Sequence, residues 1–144
     1  DAVQSSGYAF QIELTYRAVL QAANEDLSLR QTIDFHARFK PLRAGLGVHE
    51  VARIAYLENA LEKPVLHFSS GMKQRLKLAL AILSDTPLLL LDESASNLDA
   101  DAVAWYRALL SEHLADRTLL VASNSQAAEH ELCTSVMEMG DLKV

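Results

Sequence analysis

The sequence has little cysteine, no long apolar run and no excess of basic residues. It has a single cysteine, Cys133, so a disulfide framework is excluded and a reducing compartment is expected. No apolar run approaches the roughly 18 residues of a membrane-spanning helix, and no signal-peptide pattern opens the chain. The 13 lysines and arginines are outnumbered by 19 acidic residues, giving a net charge of −6. No overall positive field therefore favours nucleic acid.

What is present is an ordinary globular composition, with half of the 144 residues apolar and 22% charged. This length suits one domain, or part of one, with a real core. Alternating patterns predict strands at residues 8–14 and 16–21. Helical spacing then begins after Ser28, which can cap a helix, and a second apolar stripe from Val51 to Leu61 predicts another helix.

The second half of the sequence alternates between helices and strands. Ser69 and Ser70 begin a helix that is apolar nearly all round, and Thr86-Pro87 ends it. The continuous apolar run at residues 88–91 predicts a strand that is buried on both faces. Further expected elements are an amphipathic helix at 101–114, a second buried strand at 118–122, a short helix at 126–132 and a hairpin from 135 to 144. This alternation argues for an α/β fold with a mainly parallel sheet.

Two acidic residues follow the first of these buried strands directly. Asp92 falls at the carboxyl end of the strand, which is the edge at which α/β proteins bind ligands. A carboxylate at this place suits a Mg²⁺ ion that keeps most of its waters and bridges phosphate oxygens. Glu93 points elsewhere and could polarise an attacking water. Taken alone, the pair could equally be an ordinary strand end with an exposed turn.

The serines before the apolar helix suggest a second function. Ser69 and Ser70 can cap the helix, whose first turn presents free backbone N–H groups and a partial positive charge. Such a helix end can bind phosphate. By itself, however, the pattern is also that of a plain serine cap on a buried helix.

The order and spacing of these motifs resemble the ATP-binding cassette (ABC) ATPases. The segment FSSGMKQR at 68–75 is similar to the family's signature motif, LSGGQxQR. The segment LLLLDE at 88–93 resembles the Walker B strand, and SNLD at 96–99 resembles the D-loop. The resemblance implies a partial P-loop NTPase-like α/β core at 1–24 and 85–144. It also implies a small α-helical subdomain at 25–84 that includes the signature helix.

The same resemblance implies a mechanism and a set of site residues. Two cassettes would enclose two ATP molecules head to tail, with Mg²⁺ as the metal cofactor. Asp92 would hold the metal, Glu93 would be the catalytic carboxylate, and Asn124 would occupy the catalytic switch position. The residues implied in nucleotide binding, or in communication across the interface, are Ser69, Ser70, Gly71, Met72, Gln74, Gln21 and Asp99.

The implied partners are a second cassette, identical or different, and a transmembrane permease subunit, with no nucleic acid. The implied protein is the ATP-hydrolysing subunit of a bacterial-type transporter, cytoplasmic and peripheral at the inner face of the cell membrane. Two alternatives stay open. One is a degenerate cassette that binds or regulates, and the other is a cassette with a role other than transport.

Three features depart from the family pattern. None of the five glycines is followed by Lys-Ser or Lys-Thr, so the P-loop GxxxxGK[ST] is absent from the sequence. We therefore expect a cassette represented without its N-terminal part, which alone binds ATP weakly and is inactive. Asn124 stands where the family has a histidine, and an amide cannot shuttle a proton, which predicts slow hydrolysis. The Q-loop residue is Gln21 or, counted from Arg17, Asn24.

Overall fold

The computed structural model describes residues 26–95, 98–123 and 131–137 of the chain. Its elements, in order, are α1 (Leu29–Phe39), α2 (Val48–Ile54), α3 (Ser70–Leu83), β1 (Leu88–Asp92), α4 (Ala100–His113) and β2 (Thr118–Ala122). Two 3₁₀ turns, Glu58–Ala60 and Val65–His67, lie between α2 and α3. The strands predicted at 8–14 and 16–21 lie outside the described residues.

The strands β1 and β2 form a parallel pair that is joined through α4. Leu88 pairs with Thr118, and the register runs to Asp92 opposite Ala122. A parallel pair needs a crossover connection long enough to carry the chain back, and α4 supplies it. This arrangement confirms the predicted α/β fold, and it is consistent with a partial P-loop NTPase-like core.

Burial on the sheet differs from the prediction. In β1, Leu89 and Leu91 are buried while Leu88 is half-buried. In β2 half-buried residues alternate with exposed ones, and Leu120 is 62% exposed. The prediction of a second buried strand is therefore wrong for β2, because only its half-buried positions, Leu119 and Val121, pack against the described core. A short, continuous apolar run does not by itself distinguish one buried face from two.

The helix starts follow the local sequence. Ser28 Oγ accepts the N–H of Gln31 at 3.3 Å, and Gln31 Oε1 accepts the N–H of Ser28 at 2.9 Å, which completes a capping box. The helix predicted to reach Leu61 ends at Ile54 instead, because Tyr56 adopts a left-handed φ of 58°. The helices α3 and α4 have 14 residues each, and no helix in the described ranges is long and apolar enough to cross a membrane.

The described residues near the carboxyl end carry no regular structure. Residues 131–137 contain neither helix nor strand. The helix predicted over 126–132 therefore does not include its last two residues, and no strand forms at 135–137. Val136 and Met137 are each 73% exposed. Their apolar side chains thus gain none of the burial that a packed hairpin would provide.

The helix α3 lies at the centre of the apolar core. Its fully buried apolar residues are Leu76, Ala79, Leu80, Ile82 and Leu83. Beside it, Trp105 of α4 donates its indole N–H to the Ile54 backbone oxygen at the end of α2, at 2.7 Å. The guanidinium carbon of Arg75 lies 5.3 Å from the ring centroids of both Tyr56 and Trp105. These contacts join α2, α3 and α4.

A buried histidine on α1 contacts the far end of α3. His36 is 2% exposed, and its Nε2 lies 2.9 Å from Ser84 Oγ. Ser84 Oγ donates its one proton to the Leu80 backbone oxygen at 2.5 Å. The His36 Nε2 must therefore be the donor to Ser84, so this ring nitrogen carries a proton.

Arg117, just before β2, holds the carboxyl end of α3. Its guanidinium donates to the backbone oxygens of Ile82 at 2.6 Å and Thr86 at 2.9 Å, and to Thr86 Oγ1 at 3.0 Å. The last carbonyl groups of a helix have no partner within the helix, and a cation beside them also interacts favourably with the helix dipole. Arg117 is therefore a side-chain cap that connects α3 to β2.

Replacing Arg117 by methionine should lower the free energy of unfolding by about 2 kcal/mol, because several carbonyl groups lose a charged donor. Urea unfolding measures this difference. Arg38→Met, at an exposed position of α1, is the matched control and should change stability by less than about 0.5 kcal/mol. Equal effects of the two substitutions would show that the cap adds no specific stability.

Candidate functional site

The carboxyl end of β1 presents two acidic side chains to solvent. Asp92 is the last residue of the strand and is exposed, and Glu93 follows it and is also exposed. The N–H of Glu93 donates to the Ala122 backbone oxygen at 2.9 Å, which extends the parallel pairing by one bond. Both carboxylates thus lie at the sheet edge where the sequence places them and where α/β proteins bind ligands.

Glu93 has an unusual backbone conformation. Its φ is 42°, in the left-handed region that residues with a Cβ seldom occupy. Such a conformation costs on the order of 1–3 kcal/mol and persists only where the surroundings enforce it. The next two residues, Ser94 and Ala95, are each 3% exposed and anchor the turn in the protein. The turn therefore directs Glu93 outward from a fixed base.

The amino end of α3 has the features of an anion-binding site. Ser69 Oγ accepts the N–H of Met72 at 3.2 Å, which confirms the predicted cap. The first N–H groups of a helix have no intrahelical partner, and Ser69, Ser70 and Gly71 are all exposed. Ser70 lies within α3 and does not adopt a positive φ, so a serine fits there without strain.

Gly71 is not required by the fold of the described residues. A Cβ placed on it would meet only Ser69 Oγ, at 4.0 Å, which is ordinary van der Waals contact. Gly71 also has no positive φ that would favour glycine. The bare backbone at this helix end is thus open to a close approach from outside the chain.

Gln74 joins the two parts of the site. Its Nε2 donates to the Ser94 backbone oxygen at 3.2 Å. The bond brings the first turns of α3 against the loop that follows Asp92 and Glu93. Ser69 lies five residues before Gln74, about 7.5 Å further along the helix axis. Gln74 therefore links α3 to the turn that carries the two carboxylates.

Asp99 begins α4. Its Oδ1 accepts the N–H of Ala102 at 2.7 Å, and the residue is exposed. The sequence resemblance predicts a role for Asp99 at an interface but not its function as a helix cap. That function follows a common pattern, in which an aspartate accepts a backbone N–H three residues later.

Met72 is half-buried and packs against the core. Gln21 and Asn124 lie outside the described residues.

The sequence does not indicate two further residues next to the site, Ser94 and Tyr106. Ser94 Oγ donates to the Tyr106 hydroxyl at 2.8 Å, and both side chains are buried. The bond connects the Glu93 turn to α4. No local pattern indicates this pair, because it depends on how α4 packs against the loop.

Asp92 and Glu93 fit a metal ion that takes most of its coordination from water and from substrate phosphates. Among the residues that the structure describes, no group of three or more His, Cys, Asp or Glu side chains could hold a metal ion. Mg²⁺ is commonly bound through one or two carboxylates together with waters and substrate phosphates. Asp92, exposed at the sheet edge, suits that mode of binding.

Comparison with known families gives one match that covers most of the chain. The sequence model of a family described as ABC transporter matches residues 5–96. That range includes β1, Asp92, Glu93 and all of α3.

Individual relatives agree with this match. An ATP-dependent lipid A-core flippase of Albidiferax ferrireducens is 34% identical over 104 residues, covering 69% of this chain and 18% of the relative. The uncharacterized ABC transporter ATP-binding protein YcbN of Bacillus subtilis is 36% identical over 103 residues, covering 69% and 33%. The mRNA export factor elf1 of Schizosaccharomyces pombe is 32% identical over 127 residues, covering 83% and 12%. The chain thus spans a third or less of each of these relatives.

Proposed function

Because this chain belongs to the ABC transporter family, we propose that it supplies part of the ATP-hydrolysing site of a bacterial-type transporter. The observation that carries the proposal is the bond from Gln74 Nε2 to the Ser94 backbone oxygen, at 3.2 Å. It joins α3, whose amino end is suited to phosphate, to the turn that bears two carboxylates suited to Mg²⁺ and to an attacking water. These are the groups that phosphoryl transfer to water requires.

Within the proposed site each carboxylate has one role. Asp92 holds Mg²⁺, which when bound neutralises charge on the phosphate oxygens. Glu93 orients the attacking water and accepts its proton. The resemblance alone supports Asn124 as the residue that contacts the γ-phosphate and Gln21 as the Q-loop residue.

The amino end of α3 serves a different nucleotide. We infer that Ser69, Ser70 and Gly71 cap the γ-phosphate of an ATP held by a second cassette, with Met72 beside them. Asp99 lies in the segment that contacts that cassette. Two chains arranged head to tail would then complete two sites, and each site would depend on both chains.

The proposed partners follow from the family. One is a second cassette, and the other is a transmembrane permease subunit that contacts the helical subdomain, assigned to residues 25–84. We therefore propose that the protein acts in the cytoplasm, at the inner face of the membrane, and that it couples hydrolysis to transport. The flippase among the relatives supports this assignment.

The test is Mg²⁺-dependent ATP hydrolysis by the complete gene product. Asp92→Asn should raise the Mg²⁺ concentration for half-maximal activity by about tenfold or more, because a carboxylate ligand becomes a neutral amide. Asp34→Asn, at an exposed position of α1, is the matched control and should leave the Mg²⁺ dependence unchanged. Hydrolysis that is absent from the wild type, or insensitive to Asp92→Asn, would contradict the proposal.

One relative favours a second candidate function. The similarity to an mRNA export factor fits a cassette whose ATP hydrolysis serves a role other than membrane transport. The net charge of −6 argues against direct binding of RNA by this chain. Purification of the complete gene product from membranes in complex with a multi-span protein would favour transport. Purification with RNA or ribonucleoprotein would favour the alternative.

A further inference from the structure

The hydrogen bonds around the Glu93 turn form a chain through three elements. Gln74 Nε2, on α3, donates to the Ser94 backbone oxygen at 3.2 Å. Ser94 Oγ donates to the hydroxyl of Tyr106, on α4, at 2.8 Å. Tyr106 is fully buried and Ser94 nearly so. The turn is thus held at one residue, Ser94, from both neighbouring helices.

The same turn is held on its other side by the sheet. The N–H of Glu93 donates to the Ala122 backbone oxygen of β2 at 2.9 Å. Glu93 itself carries the left-handed φ of 42°. Glu93 is thus held through its own N–H and through the next residue, Ser94, and such a strained residue keeps its conformation only while both contacts persist. The contacts that fix Ser94 therefore also fix the direction of the Glu93 side chain.

From this geometry we propose that Gln74, Ser94 and Tyr106 are positioning residues for the Glu93 carboxylate. The inference rests on the proposed function, in which Glu93 orients the attacking water. Gln74 then acts on hydrolysis through the Ser94 backbone of its own chain, and not through contact with a nucleotide. This differs from the nucleotide-binding role that the sequence resemblance implies for it.

The proposal also connects the two half-sites of one chain. The amino end of α3 faces a nucleotide held by the neighbouring cassette, and Gln74 lies about one turn beyond that end. A shift of α3 toward the nucleotide would move Gln74 and, through Ser94, the base of the Glu93 turn.

The first test is steady-state kinetics of the complete gene product. Gln74→Met and Tyr106→Phe each remove one hydrogen-bonding group at nearly constant volume. Each should lower kcat roughly fivefold and leave KM for Mg-ATP within about twofold, since loss of one buried hydrogen bond loosens the turn without touching the nucleotide. Tyr56→Phe, which removes the hydroxyl of an exposed tyrosine, is the matched control and should leave both constants unchanged.

A second measurement does not depend on activity. Amide hydrogen exchange at Glu93 should be roughly fivefold faster in Gln74→Met and in Tyr106→Phe than in wild type and in Tyr56→Phe. A raised KM for Gln74→Met with kcat unchanged would show that Gln74 binds nucleotide, and this would overturn the inference.

The positioning role and the proposed function predict different negative results. If the wild type hydrolyses ATP and neither kcat nor Glu93 exchange responds to the substitutions, the inference is wrong and the proposed function stands. If the wild type does not hydrolyse ATP at any Mg²⁺ concentration, the proposed function is wrong. The catalytic role of Gln74, Ser94 and Tyr106 is then wrong as well.

Discussion

Replacing Glu93 by glutamine should lower the rate of ATP hydrolysis by the complete gene product about 10²- to 10⁴-fold. The amide retains the size and the hydrogen-bonding reach of the carboxylate, but it cannot accept a proton from the attacking water. The backbone at this position is already held in its left-handed conformation, so the substitution leaves the turn intact. Affinity for Mg-ATP should stay within about twofold, because the lost interaction is made in the transition state.

Single-turnover release of phosphate measures the Glu93→Gln effect directly, and equilibrium binding of Mg-ATP measures the affinity. Glu58→Gln, at an exposed glutamate of the first 3₁₀ turn, is the matched control and should hydrolyse ATP at the wild-type rate. A Glu93→Gln protein that retains more than about a tenth of wild-type turnover would show that another group accepts the proton.

The second large effect is a loss of stability in mild acid. The pKa of His36 is lowered from 6.5 to about 4, chiefly by burial and to a smaller extent by the nearby positive charge of Lys40. The unfolded chain takes up a proton on His36 below pH 6.5, whereas the folded chain does not until about pH 4. Stability is therefore highest above pH 6.5 and falls as the pH drops toward 4, by up to about 3 kcal/mol from this residue.

Urea unfolding at a series of pH values between 4 and 7 measures this dependence. His36→Gln is the informative variant, because a glutamine Nε2 can also donate to Ser84 Oγ but does not titrate. The stability of His36→Gln should change with pH by about 3 kcal/mol less than that of the wild type over this range. His49→Gln, at an exposed histidine of α2, is the control and should keep the wild-type slope. Equal slopes in all three proteins would assign the acid sensitivity to other groups.

The parts of the fold that were predictable from sequence depend on short-range patterns. The caps of α1 and α3 follow from a serine placed before an apolar helical stripe, and the structure has both. The position of Asp92 at the carboxyl end of β1 follows from a continuous apolar run that ends in an acid. Each of these patterns is complete within about a dozen residues, so local chemistry is sufficient to decide it.

The features that were missed depend on packing between distant segments. The early end of α2 accompanies a left-handed Tyr56, and Tyr56 packs against Arg75 and against Trp105, which lies far along the chain. The exposure of Leu120 depends on which face of β2 meets the core, and its apolar sequence is the same for either face. The bond from Ser94 to Tyr106 likewise exists only once α4 has packed. Tertiary contacts decide such features, and single-sequence patterns do not contain them.

Trp105 gives the protein an optical probe of its own helix packing. It is the single tryptophan of the chain, and its indole lies against Ile54 of α2 and Arg75 of α3. At 7% exposure the ring is largely removed from water. Any motion that separates α4 from these two helices must break the indole hydrogen bond and hydrate the ring, which shifts its fluorescence to longer wavelength. The emission wavelength of this chain can therefore report a separation of α4 from α2 and α3 without any added label.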